Sequence, residues 1–289
     1  MNVYQTGAAL NRPSVAVVTG AASGLGLGMA HALVERGMSV VIADIDADRL
    51  SVAEGELDAR GATAMAVVTD VTKQPSVAEL ADRTVERFGR VDVVCLNAGV
   101  SIRGRAWELT EQDWRWVYDV NVFGVVHGIR SFAPTLLAQN SGHLVITASN
   151  SSVTTLPSVA PYVSSKHAVL AVAETLQHDL AAVPSEVLVS VVLPGAIRSN
   201  MADALLHRPA EYGAATVADE VREASRRYLE RYGEDPMAMA DRVLRQALDD
   251  HQFCIFSVPS DVSMLTDRAA AISDGRLPAP LHVVHKEVP

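Results

Sequence analysis

Short runs rich in valine, isoleucine and leucine recur along the chain, at Val15–Thr19, Ser39–Ala43, Ala64–Thr69, Asp92–Leu96, His143–Thr147, Val187–Leu193 and Phe253–Ser257. Several carry apolar side chains at consecutive positions, so both faces of the strand are expected to be covered, as in a parallel sheet. Between them, apolar positions recur at helical spacing near 24–36, 47–60, 75–88, 110–137, 162–182 and 236–249. The last pattern opens with Asp235-Pro236, an N-cap residue followed by proline at the first helical position. Strand and helix alternate, which requires right-handed crossovers. The pattern predicts an α/β fold: one domain over 14–257 holding a doubly wound parallel sheet of about seven strands, with helices on both faces.

Two stretches break this rhythm, and a short N-terminal segment, 1–13, precedes the first strand. About 196–235 separates the sixth strand from the last helix and is longer than a structural connection requires. Within it, Val217, Val221, Ala224 and Tyr228 sit at helical spacing behind a Thr216 cap. The segment follows the carboxyl end of a strand, where α/β proteins bind ligands, so it is read as a lid over a pocket. The C-terminal extension, 258–289, contains Pro278 and Pro280 and is expected to be an extended tail that wraps a neighbour or is mobile.

Composition narrows the function classes. Apolar residues make up 49% of the chain and charged residues 20%, which suits a large, doubly covered core. A formal charge of -10 argues against a nucleic-acid surface. Cys95 and Cys254 both lie in apolar runs, without metal-ligand spacing, and are expected to be buried free thiols. No apolar run approaches 18 residues and no signal-like segment opens the chain, so a cytoplasmic protein with no membrane partner is expected.

The first strand runs directly into Thr19-Gly20-Ala21-Ala22-Ser23-Gly24-Leu25-Gly26. Glycines let a backbone turn sharply and approach a pyrophosphate, while the N-terminus of the following helix faces the anion. The second strand ends at Asp44, 18 residues after Gly26. A carboxylate there would accept hydrogen bonds from an adenosine ribose and repel a 2'-phosphate. Neither Ser23 nor Ile45 supplies a compensating positive charge, so NAD is expected over NADP.

Only three lysines occur in the chain, and Lys166 lies four residues after Tyr162. Positions i and i+4 share a helix face. An ammonium so placed favours the tyrosine phenolate, ordinarily formed near pH ~10, and would bring it toward neutrality as a general acid/base.

These residues resemble the short-chain dehydrogenase/reductase family in its compact form, with its Rossmann-like sheet, over roughly 14–257. Asp70-Val71 matches the acidic position that contacts adenine, and Asn97-Ala98-Gly99 matches the motif that stabilises the central sheet. Asn121 matches the active-site asparagine. Ser149, 13 residues before Tyr162, matches the catalytic serine better than Ser151. Pro194-Gly195 matches the motif after the sixth strand, with Ile197 and Ser199 following; Ser199 stands where a threonine often contacts the nicotinamide carboxamide. Leu96 replaces the asparagine that usually precedes Asn97.

The resemblance implies hydride transfer between NAD and a secondary alcohol or its ketone, with Ser149, Tyr162, Lys166 and Asn121 as the catalytic set. Lys166 would also bind the nicotinamide ribose, and Asn121 would hold a water linking Lys166 to solvent. A homotetramer, or a homodimer, built on the helices near 110–137 and 162–182 is implied as well. Met201, Leu205, Leu206 and Tyr212 in the lid suggest a bulky hydrophobic substrate. A dehalogenase-type lyase would lack the glycine loop and the lysine. An extended-branch epimerase would differ in glycine spacing and carry a larger substrate domain. A cofactor-sensing protein without turnover would not need Ser149, Tyr162 and Lys166. Trp107, Trp114 and Trp116 are read as packing or subunit contacts, and His127, His143 and His167 as structural.

Overall fold

The computed structural model describes residues 14–281 except 216 and 218. The N-terminal segment 1–13, the expected Thr216 cap and the last part of the extension lie outside the described residues. A single seven-stranded sheet organises the rest. Its strands are β1 (Val15–Thr19), β2 (Ser39–Asp44), β3 (Ala64–Val68), β4 (Val93–Leu96), β5 (Gly142–Thr147), β6 (Val187–Leu193) and β7 (Cys254–Phe256). They stand in the order β3-β2-β1-β4-β5-β6-β7 and every neighbouring pair is parallel. The chain leaves β3 at one edge and returns to the centre at β4, so the order reverses between β1 and β4 and opens a crevice at their carboxyl ends.

Strand alternation decides which helix each side chain meets. Val18, Ile42, Cys95 and Val192 point to one face, where they join Met29 and Leu33 of α1 (Gly24–Glu35), Leu50 and Leu57 of α2 (Ala47–Asp58), and Met239 and Val243 of α8 (Pro236–Leu244). Val17, Val41, Leu144 and Val191 point to the other. There they meet Leu80 of α3 (Gln74–Phe88), Phe132 and Leu136 of α5 (Gly124–Gln139), and Val169 of α6 (Ala160–Ala181). The inner strands β1, β4, β5 and β6, and β2 beside them, therefore bury both faces, which explains their unbroken apolar runs, whereas the edge strands β3 and β7 are partly exposed.

Three expectations from the sequence are corrected. The stretch 110–137 is two helices, α4 (Glu111–Tyr118) and α5, joined by a π-helical turn at Asp119–Phe123 that holds Asn121. Hydrophobic spacing alone does not reveal one extra residue in a turn. The extension is not an extended tail over its first half: it forms a 3₁₀ turn at Pro259–Val262 and helix α9 (Ser263–Ser273). Cys254 is exposed, because β7 is the edge strand, while Cys95 is buried at the centre. Among the described residues no helix is long and apolar enough to cross a membrane.

His143 opens the interior of β5 fully buried, its Nε2 2.8 Å from the Ser190 hydroxyl. Burial, and then the nearby His251, push its pKa down to about 3. The unfolded chain would take up this proton near pH ~6.5 and the folded chain would not. Between those values the unfolded state binds more protons, so stability falls as pH falls. We expect this group to contribute a slope of up to about 1.4 kcal/mol per pH unit in that window. Urea titrations from pH 7 to 4, on the wild-type chain and on His143→Gln, check this; equal slopes would refute it.

Candidate active site

At the end of β1 the chain turns through Gly20 (φ 65°) into the loop before α1, with Gly24 also at positive φ (55°). A Cβ on Gly20 would lie 2.8 Å from Ala98 Cα, and one on Gly24 2.8 Å from Ser199 Cβ. The loop is thus gripped between the ends of β4 and β6. Ser23 caps α1 by backbone conformation alone, without a side-chain hydrogen bond. No side-chain cap therefore satisfies the first-turn amides of α1. Gly26 faces inward instead: a Cβ there would come within 2.1 Å of the Gly20 carbonyl, so it allows the turn rather than lining the cavity.

Asn97 ties the strand ends together. Its Nδ2 donates to the carbonyls of Thr19 (3.1 Å) and Gly20 (3.3 Å), and its Oδ1 accepts from Thr147 Oγ1 (3.1 Å). Thr19 Oγ1 accepts from the amides of Asn97 and Ala98. Asp44 lies at the rim of the same crevice, its carboxylate accepting from the amides of Ala22 (3.0 Å) and Asp46 (3.1 Å). Asp70 Oδ1 accepts from the Thr72 amide and hydroxyl, at 2.9 and 2.7 Å.

From β5 the chain passes into Ser149. Tyr162 and Lys166 follow on one face of α6, with Lys166 Nζ 5.9 Å from the Tyr162 ring centroid. Lys166 is buried and donates to the Thr147 carbonyl at 2.9 Å. Burial pushes its ammonium down to about 8. The Tyr162 phenol is pushed up from its ordinary value by burial and pulled back by hydrogen bonding to Ser149. The lowering expected from Lys166 is therefore outweighed here by desolvation, and the ammonium is turned to a backbone carbonyl.

Asn121 lies behind this group, fully buried. Its Oδ1 accepts from the Val100 amide (2.8 Å), and its Nδ2 donates to the Val100 carbonyl (3.0 Å) and Ser165 Oγ (2.9 Å). Its side chain is fully engaged by protein groups and does not line the crevice.

Gly20, Ser23, Gly24, Leu25, Asp44, Asp70, Val71, Asn97, Ala98, Gly99, Ser149, Tyr162, Lys166, Pro194, Gly195, Ile197 and Ser199 converge on one cavity of about 570 Å³. Two 3₁₀ turns, at Asn200–His207 and Ala210–Tyr212, and helix α7 (Asp219–Tyr232) cover it. Val217, Val221 and Tyr228 face the cavity with Met201 and Leu205, whereas Ala224 is buried in packing.

Two expected substrate contacts fall elsewhere. Leu206 is exposed, and Tyr212 packs into a satellite core with Ile102, Trp116 and Val120, its hydroxyl donating to Asp119 Oδ2 at 2.9 Å. Tyr212 fastens the cover; so does the fully buried pair of Arg208 and Asp113. Of the tryptophans, Trp116 is buried packing and Trp107 is exposed.

Other cavity residues carried no sequence signal. Asp261 of the extension is buried, and its Oδ2 accepts from Asn150 Nδ2 at 3.0 Å, while Asn150 Oδ1 accepts from Ser149 Oγ at 3.3 Å. Leu281 reaches back to donate its amide to the Thr155 carbonyl at 2.9 Å. The tail thus closes its own cavity. Arg49 and His207, both paired to Asp46, stand near Asp44, and Arg103 follows the Asn-Ala-Gly segment.

The family model for short chain dehydrogenases matches residues 14–210, more than half of the chain. The chain belongs to the short-chain dehydrogenase/reductase family. It is 42% identical over 217 residues to 1-deoxy-11-beta-hydroxypentalenate dehydrogenase of Streptomyces avermitilis, covering 74% of this chain and 80% of that one. It is 30% identical over 272 residues to the CLA biosynthesis dehydrogenase/reductase of Lactiplantibacillus plantarum, covering 91% and 95%. A crystal structure of a short-chain dehydrogenase/reductase from Burkholderia phymatum in complex with NAD superposes with a TM-score of 0.88 at 36% identity, covering 94% of this chain and 99% of that one. This short-chain dehydrogenase/reductase is thus an oxidoreductase by family.

Proposed function

We propose that the protein interconverts a secondary alcohol and its ketone, with NAD as hydride carrier, on a bulky hydrophobic substrate. The observation that carries this reading is the meeting of Ser149, Tyr162 and Lys166 in the cavity that the glycine loop and Asp44 also line. The loop fits a dinucleotide: a Cβ at Gly20 or Gly24 would lie 2.8 Å from a neighbouring atom, and α1 begins without a side-chain cap.

Ser149 hydrogen-bonds the substrate oxygen and holds it against Tyr162. In oxidation the Tyr162 phenolate takes the hydroxyl proton; in reduction the phenol returns it. When bound in the glycine-loop crevice, NAD would supply the hydride chemistry. Lys166 is close enough to favour the phenolate and to meet a ribose hydroxyl. Asn121 acts from behind, fixing the Val100 backbone and, through Ser165, the α6 helix. Met201, Leu205, Val217 and Val221 offer the substrate an apolar cover. A homotetramer or homodimer through α4, α5 and α6 completes the proposal, and light scattering measures it.

The test is absorbance at the reduced-nicotinamide band, with NAD and NADP each offered against secondary alcohols ranging from polyols to terpenoid and steroid alcohols. Turnover of bulky members is expected, and turnover of polyols alone would refute the substrate class. Asp44 would lie against a 2'-phosphate, so kcat/KM should favour NAD by on the order of 10- to 100-fold, and Asp44→Asn should reduce that ratio. Preference for NADP, supported by the neighbouring Arg49 and His207, would overturn the cofactor assignment.

A further inference from the structure

One cationic group in the cavity has no counterpart in the hydride-transfer scheme. Arg103 lies on the segment after β4, and its position is fixed on both sides. Ile102, 1% exposed, packs with Leu109, Trp116 and Val120. Gly104 donates its amide to the Ser158 carbonyl at 2.9 Å and forms a parallel bridge with Val159, three residues before Tyr162. The backbone of Arg103 is thereby held beside the N-terminal end of α6, and its side chain lines the cavity that contains Ser149 and Tyr162.

The guanidinium is partly buried, and among the described residues no carboxylate forms an ion pair with it. The phenol of Tyr228, on the α7 wall of the cavity, lies near enough to interact with its charge. Burial pushes the guanidinium below its ordinary value. Asp261, the carboxylate on the extension side, has Oδ2 committed to Asn150. A second guanidinium, Arg222 on α7, lines the same cavity; it pairs with Asp219 and has a buried Nε without a partner.

A partly desolvated charge without a partner is costly, and a planar guanidinium fork matches a carboxylate with two parallel hydrogen bonds. The phosphate-binding features, Gly20, Ser23 and Gly24, belong to the β1–α1 loop rather than to the Gly104–Val159 contact, so the cofactor already has its own anion site.

We propose that Arg103 anchors a carboxylate on the substrate, so that the alcohol class taken by this cavity is a bulky hydroxy acid and its product the matching keto acid. This rests on the alcohol–ketone reading above and narrows it. Arg103 grips the acid while the apolar cover of Met201, Leu205, Val217 and Val221 packs on the body of the molecule, leaving the carbinol carbon at Tyr162. Arg222 on α7 adds positive potential to the same cavity.

Binding tests this without requiring turnover. Keto acids on steroid, terpenoid and long-chain scaffolds, each beside its methyl ester, are titrated calorimetrically into the NADH-loaded protein. At least one acid is expected to bind about tenfold or more tightly than its ester. In Arg103→Gln that ratio should collapse to about one, and Arg103→Lys, which keeps the charge but not the fork, should fall between. For the same acids, KM should rise in Arg103→Gln more than kcat falls.

Esters binding as tightly as acids throughout, or an acid-to-ester ratio unchanged in both variants, would overturn the proposal. Should Arg103→Gln fail to fold, the wild-type ratio and Arg103→Lys decide. Acid binding without turnover of any alcohol would leave the carboxylate anchor standing and count against the hydride-transfer reading.

Discussion

Replacing Tyr162 with phenylalanine should lower kcat by about 10²–10⁴-fold while reduced nicotinamide still binds. The substitution removes one oxygen and keeps the ring that packs over Lys166, so the fold and the glycine loop are unaffected. What disappears is the group that exchanges a proton with the substrate oxygen. The pH profile separates this role from simple packing. Burial raises Tyr162, and oxidation uses its deprotonated form, so kcat/KM for oxidation should climb as pH rises. Lys166 Nζ lies 5.9 Å from the Tyr162 ring centroid, close enough for its charge to bear on the phenolate. Lys166→Met should move the midpoint of that climb upward, by removing the cation that favours the phenolate. The assay is steady-state oxidation from pH 6 to 10, with fluorescence titration of NADH as the binding control. Retained activity in Tyr162→Phe, or a flat profile in the wild type, would exclude Tyr162 as the base.

The second large effect is expected at Gly26, a position that touches no ligand. A single methyl there would lie 2.1 Å from the Gly20 carbonyl oxygen and 2.6 Å from Asn97 Nδ2. Both neighbours are fixed: the carbonyl is backbone, and the Asn97 amide is held by Thr19, Gly20 and Thr147. Gly26→Ala must therefore push α1 away from the strand ends. Overpacking of this kind costs about 1–3 kcal/mol, and in a domain of this size each kcal/mol lowers Tm by about 2–4 °C. NADH affinity should fall by on the order of tenfold or more, because the same displacement withdraws the α1 amides. Gly37→Ala is the control, since nothing lies within 4 Å of a Cβ built there, although its φ of 78° carries strain. Scanning calorimetry and NADH titration read both variants. An unchanged affinity in Gly26→Ala would mean that the loop is not the cofactor cradle.

Much of the architecture was legible because the inner strands bury both faces. That produces unbroken apolar runs, and all seven strands fall where those runs stand. The residues of the glycine loop, Asp44, Asn97 and the pair on α6 were legible for a different reason: their chemistry depends on short spacings within one turn or one strand end. What escaped were features made by chain segments distant in sequence. Tyr212 is as apolar as a substrate contact would be, and only the meeting of its segment with Asp119 shows that it fastens the cover. The π-helical turn at Asn121 differs from α-helix by one residue and leaves hydrophobic spacing nearly unchanged. Asp261 and Asn150 are 111 residues apart, and no local pattern marks them as partners.

That last contact has a bearing on how the protein comes into being. Synthesis runs from the N-terminus, and the sheet as far as β6 can assemble early. Ser149, however, is steadied through Asn150 by Asp261, and the wall beside it is finished by Leu281. A growing chain would therefore hold a cofactor-shaped crevice well before it held a complete substrate chamber. Docking of the tail would then complete the wall beside Ser149 that the first six strands leave open.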